Sequence, residues 1–248
     1  MRFLRRGGQF TDRRIRFYLF MSIGLFVLVL MIWVLSRHFH ASQTGFIAIA
    51  FLLVLFKASF RRWQRWFLGK KGESKVTQTL RSLADDYVVL NDLVLPGNKG
   101  NVDHLLIGPN GVFAIETKNY SGFVKCEEEQ WFVNGHRIRS FSKQAKRNSM
   151  AVRGCIGSLF IGPQARIPCV APLLVFVNSH ARLKLFKPAV PVLRLGELVE
   201  FIRDYETNRP ITPDEKRAIV LHLQSLQPTF RELADHGAIA NDDLYGVT

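Results

Sequence analysis

The sequence has few cysteines and lacks several short motifs that mark common enzyme classes. Cys126, Cys155 and Cys169 are its three cysteines, and no Cys-x-x-Cys pair or nearby histidine pattern accompanies them. This excludes a zinc ribbon and a disulfide framework, and it fits a reducing cytoplasm. There is also no glycine-rich phosphate-binding loop, no Gly-x-Ser-x-Gly nucleophile motif and no internal repeat. P-loop nucleotide hydrolases, serine hydrolases of the elbow type and solenoids are therefore excluded.

Charge is absent from one long stretch near the amino end. From Phe17 to Leu35 the chain is uncharged, close to the roughly 20 residues that cross a bilayer core. A second apolar run, taken from Ala41 to Phe60, can also span if Lys57 reaches the interface. The two runs predict a transmembrane helical hairpin over residues 17–60. A cleaved signal peptide is the alternative for the first run, and the lack of a small-x-small cleavage site disfavours it.

Acidic residues are scarce around these apolar runs. Residues 1–72 hold 13 lysines or arginines and one acid, Asp12, whereas the rest of the chain has 21 basic and 19 acidic residues. A basic amino terminus (residues 1–16) and a basic juxtamembrane linker (residues 61–71) flank the predicted hairpin. The positive-inside rule then places both termini and the following domain in the cytoplasm, on the inner membrane of the cell. Most of the net charge of +14 is thus explained by the membrane rather than by nucleic acid.

Three charged residues interrupt two apolar strands between Asn101 and Tyr120. Asp103, Glu116 and Lys118 lie on either side of a Gly-Pro-Asn-Gly turn. A buried carboxylate is costly unless a cation or hydrogen bonds compensate it. Mg²⁺ takes one or two protein carboxylates beside substrate phosphates, and it lowers the pKa of an attacking water. The pattern therefore predicts a metal site for phosphodiester hydrolysis, in which Lys118 orients the water or neutralises charge on the phosphate.

Strand register decides whether Asp103 reaches Glu116. With a two-residue loop, residues whose numbers add to 219 face each other, which sets Asp103 opposite Glu116 at about 4.5–5.5 Å between Cβ atoms. Pro109 instead favours a type I turn followed by a bulge, which would set His104 opposite Glu116. A further bulge would restore the first pairing. The sequence leaves these alternatives open.

Five sequence features occur in an order that resembles a known family. They are GKKGE ending at Glu73, Asp103 followed by apolar residues, the Gly-Pro-x-Gly turn, IETKN from Ile115, and the later glutamine Gln144. In combination they are similar to the nuclease-related domain (NERD), which is placed in the PD-(D/E)xK nuclease superfamily. The resemblance covers roughly residues 69–160. One departure is Val102, where the superfamily motif has proline.

The resemblance implies roles for individual residues. Asp103 and Glu116 match the metal-binding acids, and Lys118 matches the motif lysine. Glu73 matches the acidic residue on the first helix, where it would add a ligand or position a water. Gln144 matches the glutamine on the helix after the sheet and would orient the site. The implied cofactor is Mg²⁺ or Mn²⁺.

The pattern of apolar residues predicts an α/β fold for residues 72–228, with a polar tail at 229–248. We expect a restriction-endonuclease-like mixed sheet flanked by helices, preceded by the transmembrane hairpin. The predicted elements are a helix at 72–84, strands at 87–95, 102–107, 112–117, 123–133, 137–141, 170–177 and 192–195, and helices at 142–160, 197–205 and 212–226.

Two functions remain open from the sequence. The first is a membrane-anchored, metal-dependent nuclease acting on nucleic acid, with DNA favoured over RNA. The second is a catalytically silent module that tethers nucleic acid or protein to the inner membrane face. The acidic run Glu127, Glu128 and Glu129 is predicted to be a solvated edge. The basic residues around Gln144 are predicted to form either a phosphate-binding groove or a solvated helix face; they are Arg137, Arg139, Lys143, Lys146, Arg147 and Arg153.

Overall fold

The computed structural model describes residues 2–3, 9–38, 42–98, 100–162, 166–207 and 209–227. The chain divides into two compact units, one of residues 8–71 and the other of residues 1–7 with 72–248. The predicted polar tail at 229–248 lies outside the described residues.

Two helices form the first unit. α1 spans Gln9–His38, and α2 spans Ser42–Leu80, so the predicted linker at 61–71 is helical. The Ser22 hydroxyl of α1 lies 2.9 Å from the Ser59 hydroxyl of α2, and the rings of Phe26 and Phe56 lie 6.1 Å apart. Asp12 and Lys70 form an ion pair. The two helices therefore contact each other at these three places within the unit.

One helix in the described part of the chain is long and apolar enough to cross a membrane. Its segment Ile15–Ser36 meets the length and composition needed. An anchor and an amino-terminal signal share these properties. The second predicted span, residues 41–60, begins one residue before the described part of this segment; from residue 42 onward it is continuous with the basic segment that follows, because both belong to α2.

A six-stranded mixed sheet forms the centre of the second unit. Its strands are β1 Arg2–Phe3, β2 Val88–Val94, β3 Asn101–Gly108, β4 Gly111–Lys118, β8 Val170–Phe176 and β10 Val192–Arg194. They lie in the order β1-β2-β3-β4-β8-β10 across the sheet. β3 runs antiparallel to both β2 and β4, whereas β4, β8 and β10 are parallel to one another.

Helices cover both faces of this sheet, as the sequence predicted. α3 (Phe141–Gly157) and α5 (Pro213–Ser225) bury Val152, Ile156, Ile219 and Leu223 against one face. The end of α2 and the short helix α4 (Leu198–Arg203), which follows a 3-10 turn at Leu195–Glu197, cover the other face. Apolar side chains alternate between the faces along β4, so each face has its own core.

A second sheet corrects the prediction of one strand at 123–133. That segment is two strands, β5 Gly122–Glu127 and β6 Gln130–Val133, because Glu128 takes a left-handed φ of 56° and reverses the chain. β7 (His136–Ile138) follows, and β9 (Ala181–Phe186), which was not predicted, completes the order β7-β6-β5-β9. Trp131, Phe141 and Phe176 pack between this sheet and the first.

Candidate active site

The β3–β4 turn sets Asp103 against Glu116. The ladder pairs residues whose numbers add to 219, ending at His104 with Ile115. The register predicted from a two-residue loop is therefore confirmed, and the bulged alternative that set His104 opposite Glu116 is wrong. Gly111 takes a φ of 147°, which glycine adopts readily, so the strands pair without an extra residue.

Glu116 is 3% exposed and both of its carboxylate oxygens accept hydrogen bonds. Lys118 Nζ donates to Oε1 at 2.7 Å, and Asn148 Nδ2 donates to Oε2 at 3.0 Å. Lys118 Nζ also donates to Gln144 Oε1 at 2.9 Å and lies 4.7 Å from the centre of the Phe141 ring. β4 therefore supplies an acid and a cation, and α3 supplies the amides that hold them.

Asp103 is less satisfied than Glu116. Its Oδ2 accepts the backbone N–H of Thr117 at 2.8 Å, and its Oδ1 accepts no hydrogen bond from the described residues. Burial raises the pKa of Asp103 well above its usual value, and the negative charges of Glu116 and Glu73 raise it further. Lys118 and the Thr117 amide oppose this rise without cancelling it. The pocket therefore disfavours the ionised form of Asp103 unless a further cation compensates it.

Lys118 supplies positive charge next to the carboxylates of Glu116 and Asp103. Burial by itself would lower the pKa of Lys118, but the carboxylates of Glu116 and Asp103 outweigh it and the net pKa is raised. The side chain is 12% exposed. Lys118 therefore stays positively charged at neutral pH while lying largely out of solvent.

The segment that carries these residues also matches a known family. Residues 68–177 match the nuclease-related domain. This segment is a NERD domain. An uncharacterized protein of Bacillus anthracis is 28% identical over 187 residues, which cover 70% of this chain and 82% of the relative. No solved structure matches the chain.

The donor set of the NERD domain fits a hard divalent cation only in part. Among the residues that the structure describes, no three His, Cys, Asp or Glu side chains come together as a metal-binding group. Mg²⁺, however, commonly uses one or two carboxylates and completes its shell with water and substrate oxygens. Asp103 has an oxygen without a donor among the described residues, and each Glu116 oxygen keeps a second lone pair. The pair fits a cation that keeps most of its own water.

The structure brings together most of the residues that the sequence singled out. Asp103, Glu116, Lys118 and Gln144 form one cluster through the contacts above. Glu73, on α2, is close enough to raise the pKa of Asp103. The metal-binding roles of these residues stay predictions.

Asn148 belongs to the cluster, although the sequence left its role open. It lies four residues after Gln144, so both face the sheet from the same side of α3. Its Oδ1 accepts a hydrogen bond from Asn98 Nδ2 at 3.2 Å, and its Nδ2 donates to Glu116. The spacing from Gln144 was the only signal in the sequence. Nothing in the sequence pattern indicated that Asn98 lies near the cluster, because its position depends on the conformation of the loop after β2.

His104, beside Asp103 in β3, is a core residue. It is 1% exposed, and its Nδ1 lies 2.7 Å from Asn91 Oδ1. Burial lowers the pKa of His104 to about 3. The imidazole is therefore neutral across the physiological range, which excludes it as a proton donor at neutral pH.

Proposed function

We propose that this chain is a membrane-anchored, divalent-metal-dependent nuclease that hydrolyses phosphodiester bonds in nucleic acid, with DNA favoured over RNA. The observation that carries the proposal is the buried cluster of Asp103, Glu116 and Lys118 within a nuclease-related domain. The likeness of these residues to the PD-(D/E)xK arrangement supports the same reading.

Each residue of the cluster has a separate task in this proposal. Asp103 and Glu116 would hold Mg²⁺ or Mn²⁺, and Glu73 would add a ligand or position a water. The bound metal would supply Lewis acidity and lower the pKa of an attacking water. Lys118, fixed by Glu116 and Gln144, presents its charge to the phosphate as negative charge develops there.

The membrane anchor is the second part of the proposal. α1 supplies one span, and we place a second span in the first half of α2, with both termini and the NERD domain on the cytoplasmic side. The hydrogen bond between Ser22 and Ser59 supports a pair of adjacent spans. Reporter fusions after residue 38 and after residue 227 test this topology. A cytoplasmic signal at both sites, or a processed amino terminus, would contradict it.

A silent binding module is the second candidate, and one observation favours it. Both oxygens of Glu116 already have protein donors, Lys118 and Asn148, so the cluster is able to persist without a metal. In that case the domain would keep the shape of a nuclease and bind nucleic acid or protein without cutting.

Cleavage by the full chain in detergent micelles distinguishes the two candidates. Labelled single- and double-stranded DNA and RNA are incubated with Mg²⁺, Mn²⁺ or EDTA, using wild type, Asp103→Asn, Lys118→Met and the control Lys125→Met. We expect metal-dependent cutting that Asp103→Asn and Lys118→Met abolish and Lys125→Met retains. Mn²⁺ should also raise the Tm of wild type but not that of Asp103→Asn. Equal inertness of all four proteins, with no effect of Mn²⁺ on Tm, would reject the nuclease.

A further inference from the structure

A groove of about 590 Å³ runs along the outer side of α3. Its lining comes from the loop after β2, from α3, and from Glu129 of the β5–β6 turn.

Three of the lining side chains are basic, and one of them is unsatisfied. Lys143, Lys146 and Arg147 follow one another along the first half of α3. The Nε and Nη2 atoms of Arg147 are shielded from solvent and have no hydrogen-bond partner among the described residues. Unpaired guanidinium donors are costly, and they match the oxygens of a phosphate in spacing and charge. The groove is therefore suited to an anion.

A carboxylate of the protein itself already lies among these cations. Lys146 Nζ donates to Glu129 Oε1 at 2.8 Å, and Lys143 Nζ lies 3.7 Å from Glu129 Oε2. The left-handed φ of Glu128 turns the chain so that Glu129 faces the groove. These contacts are solvent-accessible, since the side chain of Glu129 is 39% exposed. An ion pair of this kind is weak and exchanges readily with another anion.

The groove adjoins the candidate active site. Asn98 lines the groove, donates to Asn148 at 3.2 Å, and Asn148 in turn donates to Glu116 at 3.0 Å. The lining also includes the apolar side chains of Met150 and Ala151. A nucleotide strand offers phosphates to the basic side chains and sugar or base surface to the apolar ones.

We propose that this groove binds the phosphodiester backbone of a nucleic acid strand beside the active site, and that Glu129 occupies it as a competing anion in the free protein. The choice of nucleic acid as the anion rests on the proposed function. The sequence had predicted a solvated edge for the acidic run, and the ion pairs of Glu129 give one of its three residues a position among the phosphate-binding candidates.

Binding measured in EDTA tests the groove without any requirement for cleavage. The full chain in micelles of a non-ionic detergent is titrated against a labelled single-stranded oligonucleotide, by fluorescence anisotropy at several salt concentrations. Lys146→Gln should reduce the slope of log affinity against log salt by roughly 0.7. Glu129→Gln should tighten binding roughly two- to five-fold at low salt, because it removes a weak competing ion pair.

Two charge-matched control substitutions distinguish binding in the groove from non-specific binding by the basic amino-terminal segment. Lys184→Gln changes an exposed lysine of β9 that does not line the groove, and Glu128→Gln removes a charge one residue away from Glu129. Both should bind as wild type does. Absence of binding by wild type, or equal effects of Lys146→Gln and Lys184→Gln, would overturn the proposal. Tightening by Glu129→Gln on phosphatidylglycerol vesicles but not on the oligonucleotide would also overturn it, in favour of lipid.

The two proposals fail separately in these assays. If the oligonucleotide responds to the groove variants as expected while no metal supports cleavage, the groove stands and the nuclease is rejected. If cleavage occurs but the groove variants bind as wild type does, the nuclease stands and the groove is rejected.

Discussion

Removing Lys118 should destabilise the NERD domain strongly, because it leaves an almost buried carboxylate without its cation. The side chains of Lys118 and Glu116 are 12% and 4% exposed and their charged atoms are 2.7 Å apart. Breaking a buried pair by deleting one partner costs about 3–5 kcal/mol. For a folded unit of this size, 1 kcal/mol corresponds to about 2–4 °C in Tm. We therefore expect Lys118→Met to lower the Tm by at least roughly 6 °C in EDTA.

The chain offers a closely matched control for this experiment. Lys125 and Glu127 on β5 are also two residues apart on a strand, with charged atoms 2.6 Å apart, but their side chains are 37% and 46% exposed. An exposed pair contributes at most about 1 kcal/mol, so Lys125→Met should shift the Tm far less. Thermal unfolding of the full chain in micelles at about pH 8 measures both variants.

Two outcomes would decide the reasoning. The double variant Lys118→Met with Glu116→Gln should recover much of the lost Tm, because residue 116 then no longer carries a buried charge that has lost its cation. If Lys118→Met lowers the Tm no more than Lys125→Met, the pair is not desolvated and the buried site is refuted.

Three further predictions test the surroundings of the cluster. The pKa of Asp103 in the folded protein is raised by burial and then by Glu116 and Glu73, so the free energy of unfolding falls as pH rises above about 4 and Asp103 ionises. In EDTA at pH 8, Asp103→Asn should therefore unfold at a higher Tm than wild type, and this difference in Tm should disappear near pH 4. A difference in Tm that stays constant with pH would contradict the prediction. In Gly108→Ala the added methyl group would overlap the Tyr87 ring, so calorimetry should show that the free energy of unfolding falls by about 1–3 kcal/mol. An unchanged free energy of unfolding would show that the Tyr87 ring does not lie against Gly108. Burial lowers the pKa of His104 to about 3, so its ring carbon NMR shift should stay constant from pH 8 to about pH 5, and a midpoint within that range would show that the ring is hydrated.

The central hairpin could be predicted from the sequence because local signals determine it. The length of the turn set the sum of 219, and the alternation of charged and apolar residues placed Glu116 and Lys118 on one face. The open choice between registers depended on the backbone of Gly111, whose φ of 147° is not encoded in any residue pattern beyond the presence of glycine. The contacts of Asn148 and Gln144 with that strand required the packing of α3, which only the fold supplies.

The second sheet was predicted poorly for two different reasons. A left-handed φ at Glu128 has no signal in composition, so a turn within an acidic run was read as continuous strand. β9 was left unassigned although a signal was present, since Ala181, Leu183 and Leu185 alternate with Arg182 and Lys184. The ion pairs of Glu129 depend on that same turn and were therefore out of reach.

The short β3–β4 loop cannot absorb the loss of a residue from β4 without a shift in strand register. Gly108 pairs directly with Gly111, and β4 carries both apolar core residues and, at its end, Glu116 and Lys118. One strand register therefore positions both sets of side chains. Deleting Val112 alone would turn Phe113 and Ile115 out of their core and send the carboxylate and the ammonium to the opposite layer. A chain with such a deletion would lose both its core packing and the cluster of Asp103, Glu116 and Lys118. Folded molecules with a misaligned cluster should therefore not accumulate in the cell.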